Sequence, residues 1–456
     1  MTQERDASKT RILVVDNDEN VREDLCEILS GMGYRVSAPR GAGEALMEAA
    51  RREVKAFRPH VAVVDLRLED DDVDRPDGLR LLISLNPARC VIYSAYTDFD
   101  TTRTAFHDYQ IVNVINKNEH PRELVQAVRE AARGVCAVER GLQLDGSGLP
   151  YSLEEISQKV SAQDPALPGI PNLARDLLAI LFPKENKLIL KPVESGSAIA
   201  HPVMRGKTVV LKAQREDRLE VELVKFAPAE NIDRERKNYD DFIRYNLGGY
   251  FRPTLESAAV FYELGGAVYT FLGYPDHGHT VKPMQTLAEA YLNSGQASCA
   301  RLLEHFFITV WNGLYQRSEE RAVSPFAAYD AIFKLSAKLA RIENTGASLV
   351  LPGLPVELPD PYAWLRRNGP RLAWPEPLRY AITHGDLHAG NLLVDDALEH
   401  TWTIDFERTG YGPILRDFVE LEVDFATRLV DAANPAPEDF WMLARALCHP
   451  AEADGL

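Results

Sequence analysis

Residues 11–133 carry four short apolar runs, ILVV (12–15), VAVV (61–64), VIY (91–93) and IVNVI (111–115), with a shorter YRV at 34–36. Runs this continuous suit strands covered on both faces. Helix-period segments lie between them. Val21, Leu25, Ile28 and Leu29 share one face, and Leu124, Val125 and Val128 share another after Pro121 in a first helical turn. The pattern predicts an α/β doubly wound, five-stranded parallel sheet over residues 10–133, with function at the carboxyl ends of its strands.

The chain has 456 residues, enough for further domains beyond that one. Residues 134–170 are turn-rich, with LDGSGLP and QDPALPGIP on either side of SLEEISQKV. This predicts a linker with a helical segment, Ser152 as its N-cap and Glu155 at the capping-box position. A second domain is expected from residue 171. NLARDLLAILF reads as a helix, and KLILKPV, KTVVLKA, LEVELVKFA, SAAVFYEL and AVYTFLG read as strands. From 285 to 456 the pattern is mainly helical. A strand-rich lobe (171–284) followed by a helix-rich lobe (285–456) is an α+β arrangement.

A formal charge of −17 argues against a dedicated nucleic-acid binder. No apolar run approaches the roughly 20 residues that span a bilayer. The opening MTQERDASKTR lacks the apolar core of a signal peptide, so no membrane partner and a cytoplasmic location are expected. The five cysteines form no CxxC pair, which fits a reducing compartment.

Asp16 follows the first run, Asp65 the third predicted strand, Ser94 the fourth and Lys117 the fifth. All four are expected at one edge of the sheet. Clustered carboxylates there hold Mg²⁺ through oxygen ligands, and a hydroxyl and an ammonium beside them bind a phosphoryl group on Asp65. Each residue alone also has a bland reading as a cap or a solvated charge; the four together at strand ends do not. Over residues 10–133 the chain resembles the receiver domain of bacterial two-component response regulators, on ILVVDND, VAVVDLRL, VIYSAY and VINKN. That resemblance implies Asp65 as phosphoacceptor, Asp16 and Asp18 in the acidic Mg²⁺ cluster, and Ser94 and Lys117 on the phosphoryl group. It implies a histidine kinase or a small phosphodonor as partner, with a homodimer contact as a further option. The chain departs from the family at Asn17, Asn118 and Val114, where a second acid, a proline and an aromatic are usual. The acidic segment LEDDDVDRPDG after Asp65 reads as a solvated loop.

THGDLHAGNLLVDD (383–396) and TWTIDFERTG (401–410) place polar groups where core strands begin. A hairpin there would bring Asn391 and Asp405 to one end, as two oxygen ligands for Mg²⁺ carrying a nucleotide. Asp386 is a carboxylate suited to accept a proton from an attacking hydroxyl. That set matches the logic of phosphoryl transfer. The pattern resembles the catalytic and metal motifs of the aminoglycoside and choline phosphotransferase group, relatives of protein kinases, over about 170–430. The resemblance implies ATP and Mg²⁺ as cofactors and a hydroxyl acceptor that the sequence does not identify. It implies Asp386 as catalytic base, Asn391 and Asp405 as metal ligands and His384 as a loop organiser. His388 is taken to shape the loop, and Arg416 and Asp417 to hold a helix to it. For the nucleotide phosphates, Lys225 with Glu235 as partner is favoured over Lys212. Ser195, Gly196 and Ser197 form the expected phosphate loop, and Phe271, Leu272 and Gly273 the expected adenine hinge. LGGYFRPTL, THGDLHAGN and IDFERTG also look like a bacterial group of phosphotransferase-like domains from signalling or conflict systems. The expected activity is ATP-dependent transfer to a hydroxyl under receiver control. The alternative is a nucleotide-binding pseudokinase or scaffold switched by the receiver.

Overall fold

A computed structural model describes residues 10–69, 77–95, 106–107, 111–161, 172–193, 204–205, 207–216, 221–270, 273–275, 281–342, 348–350, 357–372, 374–395 and 397–429. The chain divides into two compact units, Met1–Lys237 with Thr254–Pro283, and Asn238–Pro253 with Met284–Leu456.

The first unit opens with β1 (Arg11–Val15), α1 (Glu19–Gly31), β2 (Arg35–Ser37), α2 (Gly43–Phe57), β3 (Val61–Val64), α3 (Asp77–Leu85), β4 (Arg89–Ser94), β5 (Asn113–Asn116) and α4 (Pro121–Arg133). The strands form an all-parallel sheet in the order β2-β1-β3-β4-β5. Alternate residues feed two cores, as the continuous apolar runs require. Leu13, Val15, Ala62 and Val64 pack with Leu46, Met47 and Ala50 of α2 and Leu81 and Leu82 of α3. Ile12, Val14, Val61 and Val63 pack with Leu25 and Leu29 of α1 and Leu124 and Val128 of α4. Pro121 occupies the first turn of α4, as its fixed φ favours.

The segment read as a linker is largely built into the next domain. It holds α5 (Ala137–Arg140), β6 (Gln143–Asp145) and α6 (Leu153–Val160). Ser152 and Glu155 form the expected capping box. Val135, Ala137, Leu142, Ile156 and Val160 are buried in the core of the second sheet, and β6 pairs in parallel with the first strand of that sheet. Gly134, Gly141 and Gly148 lie in turns, while the apolar residues between those turns supply the packing. Part of this segment, 162–170, lies outside the described residues.

The second sheet follows α7 (Leu173–Leu181). It comprises β7 (Lys187–Pro192), β8 (Met204–Arg205), β9 (Thr208–Arg215), β10 (Val221–Pro228), β11 (Leu255–Phe261) and β12 (Leu264–Thr270), with α8 (Ala229–Asn238) between β10 and β11. The order is β11-β12-β10-β9-β7-β6, with β8 on β9, and all pairs except β6–β7 are antiparallel. β13 (Gly273–Pro275) and β14 (Val281–Pro283) form a separate antiparallel pair. The five strands expected from the sequence all appear here. Residues 238–253, expected in this lobe, group instead with the second unit. There Tyr239 packs edge-on against Phe406, and Asn238 Nδ2 donates to the Glu407 carbonyl at 2.7 Å.

The amino ends of the parallel strands meet the second sheet through a buried polar joint. Asp176 of α7 accepts from the Ala137 backbone N–H through Oδ1 (3.2 Å), lies 2.8 Å from His60 Nε2 through Oδ2, and has Arg11 Nη2 at 3.7 Å. The Arg11 backbone N–H donates to His60 Nδ1 at 3.0 Å, so the hydrogen-bond network assigns the ring proton to Nε2, which donates to Asp176. Burial by itself raises the Asp176 carboxyl; His60 and Arg11 outweigh it and hold the group below the ordinary aspartate range. Arg58, which ends α2 at φ 49°, donates through Nε and Nη2 to Glu263 at 2.8 and 3.0 Å. Tyr262, at φ 55°, donates its hydroxyl to the Pro59 carbonyl.

The second unit contains β15 (Gln285–Thr286), α9 (Leu287–Asn293), α10 (Gln296–Glu304), α11 (Asn312–Tyr315), β16 (Glu319–Arg321), α12 (Pro325–Phe333), α13 (Leu335–Arg341), β17 (Ser348–Val350), β18 (Glu357–Pro359), α14 (Pro361–Asn368), β19 (Leu378–Thr383), β20 (Leu392–Val394), β21 (Thr401–Thr403), β22 (Gly410–Pro413) and α15 (Leu415–Asp424). β19 lies between β16 and β22, and β20 between β15 and β21. Among the described residues no helix is long and apolar enough to cross a membrane.

Asp176→Asn keeps the shape of the joint and removes its charge, leaving the buried Arg11 guanidinium uncompensated. The expected loss is about 3 kcal/mol, read as a lower urea midpoint for unfolding of the first unit. An unchanged midpoint would show that the joint contributes no stability.

Candidate functional site

The parallel sheet delivers Asp16, Asp65, Ser94 and Lys117 to the carboxyl ends of β1, β3, β4 and β5, as their positions in the sequence predict. Lys117 Nζ lies 2.7 Å from Asp16 Oδ2 and 2.6 Å from Asp65 Oδ2. Ser94 is fully buried at the end of β4. Burial pushes the Asp16 carboxyl above its ordinary range, against the pull of Lys117. Burial by itself lowers the Lys117 ammonium; the two carboxylates outweigh it and hold the group above its ordinary value. Two carboxylate oxygens already converge on one cationic nitrogen. That donor set fits a hard cation such as Mg²⁺.

Asp18 has a different first task. It is the N-cap of α1, and its Oδ1 accepts from the Asn20 and Val21 backbone N–H groups at 2.9 and 3.4 Å. Its own N–H donates to Asp16 Oδ1 at 3.0 Å, which orients the Asp16 carboxylate. Val114, in place of the usual aromatic, is partly buried against the core. Residues 70–76 of the acidic segment lie outside the described residues.

Gly78, which sequence reasoning passed over, packs on the backbone of the acceptor strand. A Cβ there would lie 2.1 Å from the Asp65 carbonyl oxygen and 2.8 Å from Leu66 Cα. The Gly78 N–H donates to the Leu66 carbonyl at 3.0 Å. The DG step that ends the acidic segment was its only trace in the sequence.

In the second unit, the 384–391 loop is held by the acids of α15. Asp417, fully buried, accepts from the backbone N–H groups of His384 (2.8 Å) and Gly385 (2.9 Å) and from the Tyr315 hydroxyl (2.7 Å). Glu420 accepts from the Leu387 N–H and Asp424 from the Ala389 N–H, at 2.9 and 2.8 Å. Arg416 donates to the Gly385 carbonyl and, through Nε, to Glu420 at 2.9 Å. The expected structural role of Arg416 and Asp417 thus extends to Glu420 and Asp424. Their spacing of three and four residues is the signal: it puts all three acids on one helix face. Gly385 is required by φ +77°, and a Cβ there would lie 2.2 Å from the Arg408 carbonyl oxygen.

Within that frame, Asn391 Nδ2 donates to the Asp386 carbonyl at 2.9 Å, so the atom that could serve a metal is its Oδ1. The β20–β21 hairpin pairs Leu392 with Thr403, and the Ile404 N–H donates to the Asn391 carbonyl at 3.1 Å. The hairpin therefore brings Asn391 beside the residue that precedes Asp405. Asp405 has a left-handed backbone, φ 68°. His384 donates through Nε2 to the Ile404 carbonyl at 3.0 Å, and His388 Nδ1 accepts from the Gly390 N–H at 3.1 Å. Both histidines shape the loop. Asp386 Oδ1 is paired with Arg408 Nη1 at 3.1 Å, and its side chain is about a third exposed.

In the first unit, Lys225 Nζ lies 2.8 Å from Glu235 Oε2, and the Tyr269 hydroxyl donates to Glu235 Oε1 at 2.7 Å. Lys225 sits in β10 at the centre of the sheet and Glu235 in α8. Lys212 sits in the neighbouring β9. Ser195, Gly196 and Ser197, and Phe271 and Leu272, lie outside the described residues; Gly273 opens β13.

Gly78→Ala is expected to displace the Asp65 backbone and slow phosphorylation of Asp65 by acetyl phosphate by on the order of a hundredfold, the scale of a misplacement of about 1 Å. A wild-type rate would mean that the neighbouring segment yields without moving Asp65.

Two family models match the chain. Residues 334–455 match Ternary complex associated domain 9, a span that includes Asp386, Asn391 and Asp405. Residues 12–129 match the response regulator receiver domain. No curated protein matches. Among solved structures, a CheY-like receiver domain protein from Methanospirillum hungatei is similar at 22% identity, over 27% of this chain and 94% of that one, with a TM-score of 0.24. The BeF3-activated receiver domain of Klebsiella pneumoniae RstA is similar at 18% identity, over 27% and 99%, with a TM-score of 0.23. A response regulator from Thermotoga maritima is similar at 18% identity, over 27% and 98%, also with 0.23. The family match coincides with the five-stranded parallel sheet and with the Asp16, Asp65, Ser94 and Lys117 set at its carboxyl edge: residues 12–129 are a response regulator receiver domain.

Proposed function

We propose that this is a bacterial signalling protein in which the receiver domain regulates an ATP-dependent phosphotransferase acting on a hydroxyl group. The observation that carries the transferase reading is the Lys225–Glu235 pair, a buried lysine on a central strand held by a carboxylate of the following helix. Such a pair presents a fixed positive charge to nucleotide phosphates. Asp386 accepts the proton of the attacking hydroxyl, and the acids of α15 hold its loop in one shape. Asn391 and Asp405 would hold Mg²⁺, which offsets the charge of the nucleotide phosphates. In the receiver, Asp16 and Asp65 would hold Mg²⁺, while Lys117 pairs with the added phosphoryl charge on Asp65. A histidine kinase or a small phosphodonor supplies that phosphoryl group.

Regulation is supported by the continuity of β3. Asp65 follows its carboxyl end, and Arg58, Pro59 and His60 precede its amino end. Those three residues hold Glu263, Tyr262 and Asp176 of the lysine-bearing lobe. A second reading, a nucleotide-binding module without turnover, is favoured by the Arg408 contact on Asp386, which occupies the proposed base.

Asp386→Asn is expected to abolish transfer while ATP affinity stays near wild type, because a base acts on the acceptor and not on the nucleotide. The comparison is ATP turnover against equilibrium ATP binding. Wild-type protein that binds MgATP and never turns it over, with acceptors supplied as a cell lysate, would favour the second reading.

For the regulation, beryllofluoride is expected to shift ATP affinity or turnover by about 5- to 150-fold, a coupling of about 1–3 kcal/mol. Asp65→Asn should remove the response. If wild type binds beryllofluoride and neither quantity moves, the receiver answers to another partner and the in-chain regulation is lost.

A further inference from the structure

Two backbone segments of the second unit are laced together so that Arg408 arrives at Asp386. Thr383 of β19 pairs with Gly410 of β22, and the Thr383 hydroxyl donates to the Gly410 carbonyl at 3.2 Å. One residue further along each segment, the Thr409 hydroxyl donates to the His384 carbonyl at 3.1 Å. One further still, Gly385 packs on Arg408 so closely that a Cβ would lie 2.2 Å from the Arg408 carbonyl oxygen. Thr383, His384 and Thr409 are buried. The lacing ends with Arg408 Nη1 on Asp386 Oδ1 at 3.1 Å.

The backbone of Arg408 is thus fixed, while its side chain is held only lightly. The Arg408 and Asp386 side chains are 54% and 34% exposed. An ion pair this exposed contributes little to stability and is readily exchanged for a stronger partner. Asp386 takes the Nη1 donor, and a guanidinium carries further N–H donors in a rigid fork that matches phosphate oxygens. A second guanidinium on this loop, that of Arg416, is committed differently. It is buried and donates to the Gly385 carbonyl and to Glu420.

A base and the phosphoryl group it helps to transfer are close at the moment of reaction. The attacking oxygen lies within hydrogen-bond reach of the base, about 2.6–3.2 Å, and about 3–3.5 Å from the reacting phosphorus. A cation in contact with Asp386 therefore borders the space that the phosphoryl oxygens enter. Donors already aimed at the charge on those oxygens are a main source of rate in phosphoryl transfer.

We infer that Arg408 is a catalytic residue of the proposed transfer, donating from its guanidinium to the oxygens of the phosphoryl group in flight. The inference rests on the transferase reading above, and it gives the Arg408–Asp386 contact the opposite sense from occlusion. In the step, the acceptor oxygen bonds to the terminal phosphorus of ATP. The bond from that phosphorus to the bridging oxygen breaks, and its electron pair leaves with ADP. The hydroxyl proton passes to Asp386. That proton neutralises the carboxylate, so its hold on Arg408 weakens as the guanidinium turns to the phosphoryl oxygens.

The test uses the full chain with Mg²⁺ and compares wild type with Arg408→Ala, Arg408→Gln and Arg408→Lys. Four quantities are read: equilibrium ATP affinity, ADP affinity with and without aluminium fluoride as a mimic of the phosphoryl group in flight, ATP turnover with a protein-free cell extract as acceptor source, and the urea midpoint. Arg408→Ala and Arg408→Gln are expected to lose turnover by about a hundred- to a thousandfold, the scale for one donor aimed at developing charge. They should also lose the tightening of ADP that aluminium fluoride gives wild type. ATP affinity and midpoints should stay native, and Arg408→Lys should fall between. Variants that match wild type in turnover and in the aluminium fluoride response overturn the inference and leave the transferase reading standing. Faster turnover in Arg408→Ala does the same, since it would make the contact a latch on the base. A fall in ATP affinity as large as the fall in turnover would make Arg408 a ground-state anchor and overturn it. Three unfolded variants would assign the residue to the fold and overturn it as well. Wild-type protein that neither turns over ATP nor tightens on ADP with aluminium fluoride overturns both the inference and the transferase reading.

Discussion

Asp176 is the point on which the first unit depends. One carboxylate takes a backbone N–H from α5, the ring N–H of His60 and the charge of Arg11. A buried carboxylate is costly unless each lone pair is used. Here three elements supply the partners: β1 through Arg11, the residue just before β3 through His60, and the start of α5 through Ala137. The receiver sheet is consequently not tethered to the lysine-bearing lobe by a free linker. The amino ends of β1 and β3 meet a carboxylate that belongs to that lobe's own covering helix. The segment 135–160 completes the arrangement by adding β6 to the neighbouring sheet and burying Ile156 and Val160 beneath it.

The same principle operates in the second unit with opposite partners. The 384–391 loop has few side chains to pack and several backbone N–H groups to satisfy. α15 answers with Asp417, Glu420 and Asp424, each accepting from loop backbone. Burial raises the Glu420 carboxyl, while Arg428 and the Ala389 N–H keep Asp424 low against the same burial. The polar residues that looked out of place before a core strand are therefore of two kinds. His384 and His388 build the loop, and Asp386 and Asn391 are presented by it.

What was legible in the sequence follows from range. The parallel sheet, the placement of Asp16, Asp65, Ser94 and Lys117 at its strand ends, the Ser152 capping box and the hairpin after Asn391 are local patterns, and each appears. The Lys225–Glu235 partnership was also readable, because a strand lysine followed ten residues later by a helix glutamate is nearly local. The Asp176 joint was not. His60, Arg11 and Asp176 are scattered, and each looks ordinary in its own segment; only packing makes them neighbours. Asp18 shows how one residue type serves two demands. An acid beside Asp16 suits a metal cluster and equally suits the N-cap of the following helix, and capping uses its Oδ1. Gly78 was invisible because the demand on it comes from the Asp65 backbone and not from its own turn.

The joint also contains a store of strain placed where regulation would need it. Arg58 and Tyr262 both hold left-handed backbone, at φ 49° and 55°. For residues with side chains this costs roughly 1–3 kcal/mol each and persists only where surroundings over-determine it. Here the determinants are mutual across the joint: Arg58 is fixed by Glu263, the residue after Tyr262, and Tyr262 is fixed by the carbonyl of Pro59, the residue after Arg58. Loosening either contact would release strain on both sides at once. The two left-handed residues are thus held by one reciprocal pair of contacts. β3 leads from the joint to Asp65 in four buried residues, Val61–Val64. β3 is the direct chain connection between Asp65 and the joint. Under the proposed regulation, a phosphoryl group on Asp65 would bias the joint only to the extent that it altered the contacts of that strand with the joint.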